Sequence, residues 1–215
     1  MRNFFSVDSP LMSALGKLAD LVFCNIMFCL FSLPLFTVGA SLTALYDCAG
    51  SIVEDEEEAF VIRQFWKSFR RNFKRGTVLG LICMAVFLLL WAYYAAVGTL
   101  AGNLQRTYQV TFLVLVFLTL AVFQYVFPLQ AKFRMKVGRT LKTAALLSAA
   151  ALPWTLASLA VTGLAVYLTF FMNPDGVGMA VYLWLFVLFA LVAYLNSFFF
   201  RQAFKRLARE QDKSE

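Results

Sequence analysis

Hydrophobic and polar positions separate along this chain into long blocks. Five stretches carry no Asp, Glu, Lys or Arg: Leu21–Tyr46, Gly76–Gln105, Thr107–Ala131, Thr143–Pro174 and Gly176–Phe200. Each exceeds the roughly 18–20 residues that a helix needs to cross about 30 Å of hydrocarbon. Only helices and closed barrels satisfy their backbone hydrogen bonds in lipid, and continuous apolar runs read as helices. The pattern predicts spans over about 18–36, 76–100, 108–129, 151–172 and 178–200. Pro34 and Pro128 fall at the ends of two of them, where a missing N–H stops a helix. Both are followed by a helix-like segment and a further span, a weak hint of internal duplication.

The segment 37–53, TVGASLTALYDCAGSIV, fits no single class. It is compatible with a helix, with Thr37 as a cap. The pairs Gly39/Thr43, Ala40/Ala44 and Ala44/Cys48 sit four apart, a spacing that lets helices approach closely in a bilayer. Asp47, two glycines and several hydroxyls make it a poor lipid-facing span. It reads as a buried sixth crossing, a re-entrant half-helix or a surface helix. Lys17, next to the first span, favours a tail on the cytoplasmic side and hence six crossings; the polar content argues the other way.

The segments between spans are basic. Over 60–74, Ile62, Phe65, Trp66, Phe69 and Phe73 recur at helical spacing, with Arg63, Lys67, Arg70, Arg71 and Lys74 on another face. Such an elbow helix is expected in the membrane interface, rings in lipid and cations at the headgroups. A second elbow is expected over 131–149, and a basic tail over 201–215. An acidic run, Glu54–Glu58, precedes the first elbow and reads as a solvated loop. Asp8 or Ser9 with Pro10 suits a helix start. Ala101–Thr107 and Asn173–Gly176 read as turns.

Composition and charge sharpen this picture. Apolar residues are 61% of the chain, too much for a soluble core of 215 residues. The net charge of +7 does not imply nucleic acid, because the cations flank spans. Six of the 19 Lys and Arg lie in 47–75, five in 130–142 and five in 201–215, while the two intervening turns hold one, Arg106. By the positive-inside rule the three rich segments and the C-terminus face the cytoplasm. The first apolar run is too long for a signal-peptide core. The fold class is therefore an all-α polytopic transmembrane helix bundle, one membrane domain over 1–215, with cytoplasmic amphipathic elbows.

Candidate chemistry is sparse. Histidine is absent, which removes the commonest general base. Cys24, Cys29, Cys48 and Cys83 form no CxxC pair and read as reduced thiols, so no metal or other cofactor is expected. No partnered nucleophile or phosphate-binding glycine loop occurs, and no catalytic residue is assigned. Intramembrane polar residues are the remaining candidates: Asn25, Asp47, Gln124 and Asn196, with Asp20 near a span end. Convergence would mark a transport path; otherwise each side chain serves interhelical hydrogen bonding. The interfacial candidates are Phe65, Trp66, Phe69, Arg70, Arg71 and Lys74.

Several strings together carry a family likeness. FFSVDSPL, SLPLFTVGASLTALY, FWKSFRRNFKRGT, FPLQAKF, TLKTAALLSAAALPWTL and LNSFFFRQAFKRL occur in this order over about residues 4–207. The chain in this respect resembles the YesL-like family of bacterial membrane proteins, a domain of unknown function. The resemblance implies a bacterial cytoplasmic membrane and a role near carbohydrate uptake or utilisation. It transfers no catalytic residue. The expected function is an accessory or scaffold protein in contact with lipid and a carbohydrate transporter complex. The alternative is a small transporter or permease subunit, which could act as a homo-oligomer.

Overall fold

The structure is a computed structural model describing residues 10–54, 60–98, 103–171 and 177–212. The expected cap at Asp8 or Ser9, the acidic run beyond Glu54 and the turn Asn173–Gly176 lie outside the described residues. Within them every regular element is helical. Helix α1 is Pro10–Ser32, α2 is Val38–Glu54, α3 is Val61–Val97, α4 is Asn103–Phe133, α5 is Val137–Ala150 and α6 is Leu152–Phe170. The last helix has three parts: α7, Val177–Leu183, a π-helical segment Trp184–Leu188, and α8, Phe189–Asp212. Six of these helices are long and apolar enough to cross a membrane, the second over Leu35–Glu54.

The outer surface fits that reading. Leu89, Trp91, Leu113, Tyr182 and Phe171 are each more than 60% exposed. They belong to a much larger set of exposed aliphatic and aromatic side chains on α3, α4, α6 and α7. Soluble monomers rarely expose apolar patches beyond a few hundred Å². Lipid is the solvent that accepts this surface, and the chain is a multi-pass membrane protein.

α2 sits inside the bundle. Over half of its apolar stretch is buried, against 22% or less in the apolar stretches of the other five. Its neighbours are α1, α3, α4 and α8. This resolves the conflict in its sequence, because small and hydroxylated residues that suit lipid poorly suit close helix contact. A methyl carbon added at Gly39 would lie 2.2 Å from the Gly76 carbonyl oxygen and 2.7 Å from Gly80 Cα. Gly76 and Gly80 are themselves four apart, so two glycine surfaces bring the backbones of α2 and α3 together. The pairing is antiparallel: Ser51 meets Gln64, Asp47 meets Arg71, and Gly39 meets Gly76.

Two expectations change here. The basic elbow over 60–74 is not a separate helix; it continues without a break into the apolar span as α3, 37 residues and about 55 Å long. Its rings also divide differently. Phe65 is fully buried and Phe69 nearly so, their rings tilted against Phe31 of α1 and packed in the core with α2. Gln64, Ser68 and Asn72 complete this buried stripe. Only Ile62, Trp66 and Phe73 keep large exposed surfaces. The face expected against lipid is divided: Phe65 and Phe69 turn to protein, where α1 and α2 supply apolar partners, and Ile62, Trp66 and Phe73 stay outside.

The proline sites differ from each other. α1 ends at Ser32, and the Thr37 hydroxyl, instead of starting α2, donates to the carbonyls of Phe31 and Pro34 at 2.6 Å. It thus serves the Phe31 carbonyl at the end of α1, while the Pro34 carbonyl also accepts the Thr37 N–H at 2.8 Å. Pro128 lies within α4, which runs on to Phe133. The second elbow therefore begins at Val137 and not at 131, after a corner where Arg134 adopts φ +47°. α4 also starts at Asn103, inside the turn expected over 101–107.

Candidate functional site

Each intramembrane polar candidate bonds a different partner. Asn25, fully buried on α1, faces the π-helical segment of the last helix. Its Nδ2 donates to the carbonyls of Trp184 at 3.0 Å and Leu185 at 2.6 Å, and its Oδ1 accepts the Ala190 N–H at 2.9 Å. A π segment widens one turn and displaces the ordinary i→i−4 ladder. One side-chain amide has the acceptor and donors needed to replace what the ladder loses. Cys29, one turn on, adds an Sγ contact to the Leu185 carbonyl at 3.5 Å.

Gln124 and Asn196 both reach α6. Gln124 Nε2 donates to the Thr155 carbonyl at 3.3 Å, and Asn196 Nδ2 donates to Thr162 Oγ1 at 3.0 Å. Asn196 also faces the Tyr46 hydroxyl, but its Oδ1 has no well-formed hydrogen bond, and Gln124 Oε1 likewise has none. Asp47 lies elsewhere, paired with Arg71 at 3.0 Å. The four candidates do not converge on one chamber.

Sequence reasoning missed a second polar layer. Gln130 is fully buried and accepts from Thr140 across the α4–α5 corner at 2.9 Å. Thr155 ties three elements: it pairs with Tyr125 at 3.0 Å and donates to the Ser148 and Ala151 carbonyls. Tyr125 in turn packs on Phe200, which meets Tyr46 edge-on. Nothing in a single sequence separates these residues from other scattered hydroxyls and amides.

The charged residues gather around two depressions. The first, about 320 Å³, lies between the C-terminal part of α2, the end of α4 and α8, with Asp47, Glu54, Lys132, Arg134 and Arg201 in its lining. Lys132 pairs with Glu54 at 2.8 Å, joining α4 to α2. The second, about 600 Å³, lies between the basic half of α3 and Arg134. Of the interfacial candidates, Trp66, Phe69, Arg70, Arg71 and Lys74 line it, while Phe65 is buried in the core. The Arg75 guanidinium donates to the Arg134 carbonyl at 2.5 Å, fastening the corner to α3.

Comparison with known proteins adds little chemistry. Residues 21–94 match a family described as "Protein of unknown function, DUF624". The chain is similar to the uncharacterized protein YteU of Bacillus subtilis (strain 168), 26% identical over 137 residues, 64% of this chain. The aligned region spans 61% of that relative's length. No solved structure matches the chain. The family match covers the second half of α1, all of α2 and most of α3, the part of the bundle that contains the close glycine contact and the basic half of α3.

Proposed function

We propose that this chain is an accessory or scaffold protein of the bacterial cytoplasmic membrane, without catalytic activity of its own, serving carbohydrate uptake or utilisation. The observation that supports an accessory role is the distribution of polar side chains. Asn25, Gln124 and Asn196 each bond a different stretch of helix, and Asp47 holds an arginine. Side chains used one by one between helices build a scaffold and not a path. The carbohydrate link and YesL-like membership rest on the sequence resemblance, with which the family match over 21–94 is compatible. The charge distribution supports a cytoplasmic C-terminus. The partner is then a transporter complex in the same membrane. Affinity purification from native membranes in mild detergent tests this. Transporter or sugar-pathway components are expected in the eluate, and their absence would count against the role.

A second reading, a small transporter or permease subunit, draws on the buried and unpaired Gln124 Oε1 and Asn196 Oδ1. It predicts solute uptake into proteoliposomes that Gln124→Leu and Asn196→Leu abolish while the chain stays folded. Uptake equal to empty liposomes would exclude it.

A further inference from the structure

We infer that the groove between the basic half of α3 and the α4–α5 corner binds the phosphate of an anionic phospholipid. Its lining contains Arg70, Arg71, Lys74, Arg75 and Arg134, and no carboxylate. Arg71 is turned to Asp47, and Arg75 holds the Arg134 carbonyl. Among the described residues Arg70, Lys74 and Arg134 have no ion-pair partner. Arg70 and Lys74, with Arg134 reaching in from the corner that it shares with the cleft of Asp47 and Glu54, give this 600 Å³ depression a positive lining that an anion would complement.

The corner is built to keep Arg134 there. A φ of +47° is uncommon for a residue with a side chain, and such conformations persist where the surroundings hold them, often at ligand clamps. Here the Arg75 guanidinium holds the peptide from the α3 side. The lining also says which phosphate. Arg75 directly precedes the charge-free run Gly76–Gln105, so the groove lies where hydrocarbon begins. Phe73, 38% exposed and one turn before Gly76, supplies an apolar wall for the glycerol and the start of the acyl chains, and Trp66, 47% exposed, lies two turns farther from the hydrocarbon, at the headgroup. Aromatic rings suit this level of a bilayer, and basic pockets between helices bind anionic headgroups. A soluble phosphate would have no use for that wall. This inference depends on the membrane reading alone and goes beyond the proposed partner.

Native mass spectrometry of the full chain in mild detergent, with phosphatidylglycerol or phosphatidylcholine added at equal concentration, tests it. Phosphatidylglycerol adducts are expected to dominate by about tenfold, the size of effect that a few juxtamembrane cations produce. The variant Arg70→Gln/Lys74→Gln/Arg134→Gln should lose them. Arg139→Gln/Lys142→Gln/Lys205→Gln, which removes equal charge elsewhere, should keep them. Equal loss in both variants would overturn the site, as would equal retention of the two lipids. Displacement by millimolar inorganic phosphate would assign the groove to a soluble anion and also overturn it. So would adducts that appear only after neutralising Asp55, Glu56, Glu57 and Glu58, since the chain's own acids would then fill the groove. A second measurement leaves the charges intact. In Phe73→Trp, brominated phosphatidylglycerol should quench the added tryptophan emission more than brominated phosphatidylcholine does, and equal quenching by the two lipids would overturn the contact.

Discussion

Replacing Gly39 by alanine adds one methyl where the structure has no room for it. The new Cβ would sit 2.2 Å from the Gly76 carbonyl oxygen and 2.7 Å from the Cα and N of Gly80. Ordinary contacts begin near 3.4 Å. All three obstacles are backbone atoms of α3, so no side chain can rotate away. The helices must part by about 1 Å, which forfeits a quarter to a half of the dispersion energy in each neighbouring contact. Overpacking of this kind costs about 3 kcal/mol at the upper end of its usual range. Alanine returns about 1 kcal/mol through helix propensity. The net loss is about 2 kcal/mol, roughly 30-fold in the folding equilibrium. For a chain of this size that corresponds to a fall in Tm of about 4–8 °C. The assay is thermal unfolding in a mild detergent, followed by the loss of the monodisperse chromatographic peak. Gly163→Ala is the matched control, since a Cβ at Gly163 meets nothing within 4 Å. It should be neutral or slightly stabilising. If Gly39→Ala melts with Gly163→Ala, the α2–α3 contact is not as close as described, and the account of why α2 is rich in small residues fails with it.

Other outcomes follow from the polar layer and the topology. Asn25→Leu removes the partners of two carbonyls and one N–H, and should lower stability by about 1–3 kcal/mol in the same thermal assay, whereas an unchanged Tm would show that the π segment holds itself. Thr155→Val deletes the hydroxyl that meets Tyr125 and should cost about 1 kcal/mol; a double-mutant cycle with Tyr125→Phe should recover a coupling of similar size, and additive losses would refute the pairing. Asp47→Asn should change Tm little, because the Arg71 pair is partly exposed and such pairs contribute about 0.2–1 kcal/mol; a large loss would mean that the cleft depends on that charge. If α2 crosses the bilayer, cysteine labelling from outside intact cells should reach neither residues 1–17 nor the tail after Phe200, and labelling of the early segment would reduce the crossings to five.

The spans were legible because charge exclusion from lipid is costly enough to leave long blank runs in the sequence. The helical character of 37–53 was legible too, and so was its small-residue spacing. Its burial was one of three readings left open, because the matching glycines, Gly76 and Gly80, open a run that otherwise reads as an ordinary lipid-facing span. The joining of the basic elbow to that run was hidden for a related reason. Amphipathic and uniformly apolar stretches differ in what surrounds them, and a helical ladder runs through both without a signal at the joint. Phe65 and Phe69 were read toward lipid because periodicity gives a face but not its neighbour. Among the candidate residues, Asn25 stood out in the sequence as an intramembrane polar side chain. Its role was out of reach, since its partners are backbone groups about 160 positions later whose irregularity leaves no mark in WLFVL.

That irregularity sets the azimuth of everything after it. A π segment carries one more residue than an α-helical turn would hold, and one residue is a rotation of about 100° around the axis. Beyond it, Asn196 finds Thr162, and Phe200 finds Tyr125 and Tyr46. Deleting a single residue within Trp184–Leu188 would give a shorter and more regular helix. It would also swing those side chains by a quarter-turn or more off their partners, and leave the Asn25 amide facing backbone that no longer needs it.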